Sequence, residues 1–469
     1  MRDHLFFNGV DATTGEYLVA PRPAAEVLDL LRARPIEPAR AATRAMVPGF
    51  EPRDLAESGW GVVFPRGCDP AIPEALRPLL EHRRMQAAAV REHRYRELEL
   101  RPGEDLESFL VRHGRGPGPV HPDRLPYYLL LIGDPAEIPF GLQTGLDVQH
   151  AVGRLCFDAP EEYERYARRV VEAERGAQGR DRLVDLFAPR NADDPATELS
   201  SDHLIAPLAG RLDGALPGWR LRVTAGPRAT KQALADLFAG RHGRPALLFT
   251  ASHGLGFPCG HPDQRERQGA LLCQDWPGPQ AWKGRPIPPE HSFAAADLER
   301  EDVAGLVAFC FACHGAGTPA LDEFSHRNGW EPRRIAPRDF LARLPQRLLE
   351  RGALAVIGHL ERAWAYSFLW RDESQVDVFE STLKLLLDGW PVGAAMEYFN
   401  QRYAELATLL TAALRRAFAG EPVDAREVTR LWTAHNDARG YVVVGDPAVR
   451  VDRMISPPPA APSPASGPA

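Results

Sequence analysis

Apolar residues fall into short continuous runs along this chain, separated by longer amphipathic stretches. Such runs occur at residues 127–134 (YYLLLIGD), 246–250 (ALLFT), 305–309 (GLVAF), 353–357 and 441–444 (YVVV), and the more mixed segments 150–155, 183–187 and 219–223 are strand-like. Runs of ~4–8 apolar residues between turn signals read as strands buried on both faces. Between them, residues 160–175 carry Pro and Glu in a first turn, and Tyr163, Tyr166 and Val170 on one helical face. Helices are also predicted at 202–212, 231–238, 337–350, 376–387 and 392–418. Strands alternating with amphipathic helices predict an α/β fold, a mostly parallel sheet flanked by helices on both faces.

The 469 residues suffice for two to four structural units. Residues 1–120 read as a mixed, mainly helical region with a charged helix over 73–98. Residues 121–180 form a first sub-unit and 181–452 the main domain. The Pro-rich stretch 453–469 cannot bury a core and is expected to be disordered. Net charge is −7 with basic residues scattered, which argues against a nucleic-acid partner. No run approaches the ~20 apolar residues of a membrane span. The early charges and short apolar run of the first residues do not resemble a secretion signal. Six cysteines in so long a chain are too few for a disulfide scaffold, so they are expected to be reduced thiols of a cytoplasmic protein.

Two strand ends carry candidate chemistry. In ALLFTASHGLG (246–256) a buried strand runs into His253-Gly254, and ligands of open α/β sheets sit beyond such carboxyl ends. An imidazole there can move protons near neutral pH. In GLVAFCFACHGAGTP (305–319) a second strand ends in Cys310-Phe-Ala-Cys313-His-Gly315, a thiol in a Gly-rich turn whose N–H groups can stabilise an oxyanion. The 60 residues from His253 to Cys313 match the interval of caspase-type peptidases. Cys310 lies within the strand as an apolar filler, without the Gly two residues on. A Cys310–Cys313 redox pair is an alternative, against which stands the position of the motif at the end of a late strand. Cys259, His261, Cys273 and His291 have spacing too irregular for zinc, and no metal is assigned. Asp134 and Asp446 lie in Gly-Asp-Pro turns and are read as structural caps. His314 receives no role.

Over about residues 126–452 the chain resembles the gingipain family of caspase-like cysteine peptidases. YYLLLIGDPAEIP (127–139), VGRLCFDAPEEYERY (152–166), LLFTASHGLG, LVAFCFACHGAG, GALAVIGHLERAW (352–364) and YVVVGDPAVRV (441–451) are similar to that family's blocks, in the same order. The resemblance implies a caspase-like fold of two sub-units. It makes Cys313 the nucleophile, His253 the general acid–base, and the N–H groups of Gly254 and Cys313 the oxyanion hole. It implies a thiol endopeptidase acting on a protein substrate, without a cofactor.

Where the family has an acid assisting its histidine, the alignment places Arg190 or Asn191, with Asp193 and Asp194 a few residues on, so no triad is assigned. At the specificity pocket of arginine-selective members stands Ser200, with Asp202 nearby; an acid there would select Arg or Lys. Glu361 and His359 are expected to line the substrate cleft, and Trp364 to pack against a substrate side chain or into the core. Residues 256–291 read as a long loop. Its basic stretch within 260–291 is expected to be cut by the protein itself or by an upstream protease. A catalytically silent caspase-like binding module is the reading of a different class.

Overall fold

The apolar runs form the interior of a ten-stranded sheet. The computed structural model describes residues 4–5, 10–16, 22–23, 45–176, 180–215, 217–282, 284–298, 301–326 and 332–451. The sheet strands are β1 (Trp60–Pro65), β2 (Tyr95–Leu100), β3 (Tyr128–Ile132), β4 (Ala151–Leu155), β5 (Asp181–Ala188), β6 (Arg220–Ala225), β7 (Pro245–Ala251), β8 (Val307–Phe311), β9 (Ala355–His359) and β10 (Tyr441–Gly445). Their order is β2-β1-β3-β4-β10-β9-β8-β7-β5-β6. All pairings are parallel except β9 with β10. The sheet is therefore two parallel five-stranded blocks of opposite direction, joined where the last strand crosses back to pair with β4. Continuous burial along β3, β4, β7, β8, β9 and β10 explains why those runs lack polar alternation.

The helices that position the site are α1 (Ala71–Ala87), α2 (Pro160–Glu174), α3 (Pro195–Ser200), α4 (Ala206–Leu212), α5 (Lys231–Phe238), α6 (Arg343–Glu350), α7 (Asp377–Leu387), α8 (Glu397–Phe418) and α9 (Ala425–Arg439). A π-helical turn, Ser201–Ile205, links α3 to α4. The expected α/β architecture, a mostly parallel sheet with helices, is the one the chain adopts.

Two stretches differ from expectation. Residues 73–98 do not form one helix: α1 ends at Ala87 and edge strand β2 follows. In β2, Leu98 and Leu100 are buried while Glu97 and Glu99 are exposed, a period-two pattern hidden in a charge-rich sequence. Residues 1–120 thus contribute β1 and β2 to the main sheet. Residues 256–291 are folded rather than looped out. Leu271–Leu272 pairs with Ser292–Phe293, and Trp276 is fully buried in a small core with Val10, Phe257, Leu272 and Ile287. The Pro-rich stretch 453–469 lies outside the described residues.

One buried charge network ties the first block together. Arg83 of α1 donates Nε to Asp446 Oδ2 at 2.6 Å and Nη2 to Glu174 Oε1 at 2.7 Å. Trp60 Nε1 donates to Asp446 Oδ1 at 3.0 Å, so Asp446 joins β1, α1 and the end of β10 besides capping its turn through the Ala448 N–H. Replacing Arg83 strands two buried carboxylates. Arg83→Met is expected to lower unfolding free energy by about 3–5 kcal/mol in urea melts; a loss under ~1 kcal/mol would mean the network contributes little.

Candidate active site

The parallel register of β7 and β8 places the two candidate reacting groups. Thr250 pairs with Cys310 and Ala251 with Phe311, and the ladder runs one bond further, Ser252 N–H to Phe311 O at 3.1 Å. Both chains then leave the sheet at the same carboxyl edge. A Cβ on Gly254 would sit 1.7 Å from the Cys313 carbonyl oxygen, so only glycine allows the two backbones this close. His314 takes the left-handed conformation at φ 57°, costly for a side chain with a Cβ. Bonds to the end of β9 hold it there: His314 N–H to Glu361 O at 2.6 Å and Ala316 N–H to His359 O at 2.9 Å. The strained turn turns Cys313 out of the strand direction.

His253 has the acid that the sequence left unassigned. Its Nε2 lies 2.9 Å from Asp194 Oδ2, and Thr197 Oγ1 donates to the same oxygen at 2.7 Å. Asp194 is fully buried. A carboxylate at Nε2 makes that nitrogen the donor of the neutral ring and leaves proton acceptance to Nδ1. The Trp276 ring stands edge-on to the imidazole, centroids 6.2 Å apart. Only the pair Asp193-Asp194 after β5 hinted at this partner, and folding of 190–197 against 273–276 decides which of the two serves. Asn191 Nδ2 binds the Cys273 and Trp276 carbonyls at 3.2 and 2.7 Å, while Asp193 lies exposed at φ 55°.

Cys313 is 3% exposed and His253 4%. Both line one crevice of about 20 Å³ with Thr197, Ser200, Ala363 and Phe368, room for little more than one water. Burial pushes the Cys313 thiol up to about 12. Backbone hydrogen bonds of Ala363 and Gly254 and the charge of Arg362 pull the other way, because each favours thiolate. The Sγ lies 3.8 Å from Ala363 O. The Cys313 N–H donates no hydrogen bond among the described residues.

Ala363 belongs to a strap, residues 363–368, held by one buried carboxylate. Asp437 of α9 accepts the Trp364 N–H at 2.8 Å through Oδ1 and the Ser367 hydroxyl through Oδ2. Ser367 Oγ is 2.6 Å from Tyr441 OH on β10, and Arg402 Nη2 donates to Tyr366 O at 2.6 Å. Sequence reasoning missed Asp437 and Arg402; nothing in helices α8 and α9 distinguishes them from other helical charges.

The other expected residues divide. Ser200 lines the crevice. Asp202, on the π-helical turn, is exposed and 3.1 Å from Arg190 Nη2, outside the crevice lining. Glu361 is buried beside Arg362 and Asp322, and burial with the Asp322 charge holds its carboxyl well above the usual range. It supports the turn through its carbonyl rather than lining the crevice. His359 is sealed in the interior, Nε2 2.8 Å from Asp437 O. Trp364 packs with Phe324 and Trp432 in a separate apolar cluster, the core alternative of its two expected roles. Cys310 is a buried thiol pushed up to about 11, consistent with a filler. Among the described residues no three His, Cys, Asp or Glu side chains converge as metal ligands, and no helix is long and apolar enough to cross a membrane.

No family model matches the chain, and no curated protein matches it. Solved structures do. A structure described as a protease aligns over 85% of this chain and 79% of its own, at 13% identity and TM-score 0.46. The Arg-specific cysteine proteinase gingipain R aligns over 84% and 78%, at 11% identity and TM-score 0.45. The complex of Porphyromonas gingivalis RgpB pro- and mature domains gives 83%, 79%, 13% and 0.45. Separase from the Saccharomyces cerevisiae separase–securin complex matches 69% of this chain but 15% of its own, at TM-score 0.31.

The strap makes a direct prediction. Ser367→Ala removes one of the two donors to Asp437 and loosens the cover over Cys313. Iodoacetamide should then modify Cys313 about tenfold faster than in the unaltered chain, with the exposed Cys259 unchanged as internal control. Equal Cys313 rates would show that the strap does not govern access.

Proposed function

We propose that the chain is a caspase-like cysteine endopeptidase. Cys313 is the nucleophile, His253 the general acid–base and Asp194 the group that orients the imidazole. The observation that carries this reading is the buried Asp194–His253 pair opening onto the same crevice as Cys313, with Gly254 pressed against the Cys313 backbone. The sulfur attacks a peptide carbonyl as its proton passes to His253. The oxyanion is received by the Gly254 and Cys313 N–H groups, and His253 returns the proton to the departing amine. Water, deprotonated by His253, then hydrolyses the thioester.

The closed crevice supplies a restraint suited to a cytoplasmic peptidase. A thiol near 12 and a 20 Å³ space hold the nucleophile inactive until the strap moves. Arg265 is tied down, donating to Leu341 O at 3.0 Å, and Arg267 is largely covered, so an activating cut within 260–291 would fall best at exposed Arg285. The crevice walls carry no free carboxylate. A preference for Arg or Lys would have to come from Asp202 at the rim, whose exposed pair with Arg190, worth at most ~1 kcal/mol, could yield to a substrate cation. The silent-module reading is favoured by one observation, the near-complete burial of Cys313 and His253.

Cleavage-site profiling on a peptide library, with Cys313→Ala as blank, tests activity. Products absent from the blank are expected, enriched in Arg or Lys before the cut. Asp194→Asn should lower kcat/KM by about 10²–10⁴, and Asp202→Asn should erase the basic preference while sparing the rate on neutral sites. Identical product sets from the chain and its blank would leave the silent module.

A further inference from the structure

The strap that covers Cys313 has a second side. Ala365 and Phe368 face the crevice, whereas Tyr366, Ser367 and Trp370 line a cavity of about 470 Å³. Its long wall is one stripe of α8: Tyr398, Gln401, Arg402, Glu405, Leu406 and Leu409, spaced by helical periodicity. The stripe is apolar at both ends and charged in the middle. Tyr398 and Leu409 are 41% and 51% exposed, among the few large apolar side chains left at the surface. Aromatic and aliphatic area left open at the mouth of a cavity is a feature of binding sites.

The charges have a sign. Arg402 is turned inward, donating to Tyr366 O at 2.6 Å and facing Asp437 Oδ2 at 3.8 Å. Asp377 on the opposite wall is held from outside by Arg211 at 2.7 Å. Glu405 is exposed, receives the Gln401 amide at 3.1 Å and makes no ion-pair contact among the described residues; the nearest cation acting on it is Arg402, whose guanidinium is turned to Asp437 and Tyr366. The groove therefore presents one exposed carboxylate without an ion-pair contact between two apolar contacts.

We infer that this groove binds an extended peptide segment with a basic side chain flanked by apolar ones. The length supports a peptide. Tyr398 to Leu409 spans ~16 Å along the helix, which an extended chain covers in about five residues. Glu405 sits ~10 Å from Tyr398 and ~6 Å from Leu409 along the axis, so the basic residue falls about three positions from one apolar residue and two from the other. As a substrate exosite the groove rests on the peptidase reading, since the shared strap would let one bound chain span groove and crevice. The binding itself does not depend on that reading.

The test uses the full chain with Cys313→Ala, so that nothing is hydrolysed. Calorimetric titrations compare acetyl-Leu-Gly-Ser-Lys-Ser-Leu amide and its reversed sequence with versions carrying Gln or Glu for Lys. In at least one direction the Lys peptide should bind saturably, with Kd about five- to tenfold below the Gln version and the Glu version weakest. Glu405→Gln should bring the Lys and Gln peptides together, and Leu409→Ser should weaken both alike. Equal binding of Lys and Gln peptides, no saturable binding, or a Lys preference that survives Glu405→Gln overturns the proposal. So does sedimentation showing a dimer that Leu409→Ser dissolves, because a second copy would then occupy the groove. An inactive peptidase that still binds the Lys peptide sinks only the catalytic reading, and an active one that ignores it sinks only the groove.

Discussion

The contact on which the site depends is between two backbones. Gly254 lies against the Cys313 carbonyl so closely that no side chain fits between them. That contact follows from the register of β7 on β8, which brings both strands out at the same edge in step. Parallel strands buried on both faces have little freedom to slip, because each residue is fixed by packing above and below the sheet. The imidazole and thiol are thus brought to one crevice by the paired ends of two buried strands. The parts that tune them are attached at its rim.

Those attachments pull in opposite directions. Burial favours the neutral thiol, while Gly254, Ala363 and Arg362 favour the thiolate, and burial wins in the closed form. Displacing the strap would remove much of the desolvation but also the Ala363 backbone contact. Asp437 is central because its two oxygens hold the strap at Trp364 and Ser367, and its carbonyl is bound by His359 below the Cys313 turn.

How much of this was legible depends on whether a residue's role is set locally. The runs that became β3, β7, β8 and β9 were readable because full burial leaves a nearly continuous apolar string, whereas β4 carries the buried Arg154. His253, Gly254 and Cys313 were readable because each sits directly at a strand end. Edge strand β2 was obscured by Glu97 and Glu99, whose charges suit its exposed face, and by Arg96, half-buried at the start of its buried face. Asp194 was visible as a residue but not as a partner, since choosing it over Asp193 or Asn191 requires the fold of 273–276. Trp364, beside the crevice in sequence, turns away because Phe324 and Trp432 offer it an apolar cluster. Asp202 lies near Ser200 in sequence, yet the π-helical turn carries it out to the rim.

The most direct measurement of the central claim is covalent capture of the nucleophile. Treating the chain with an arginyl acyloxymethylketone, then mapping modified cysteines by mass spectrometry, asks whether Cys313 and His253 act as a unit. The account predicts a single adduct on Cys313 that disappears in His253→Ala. An adduct on Cys259 or Cys68 with Cys313 intact, or Cys313 labelling that persists without His253, would contradict it.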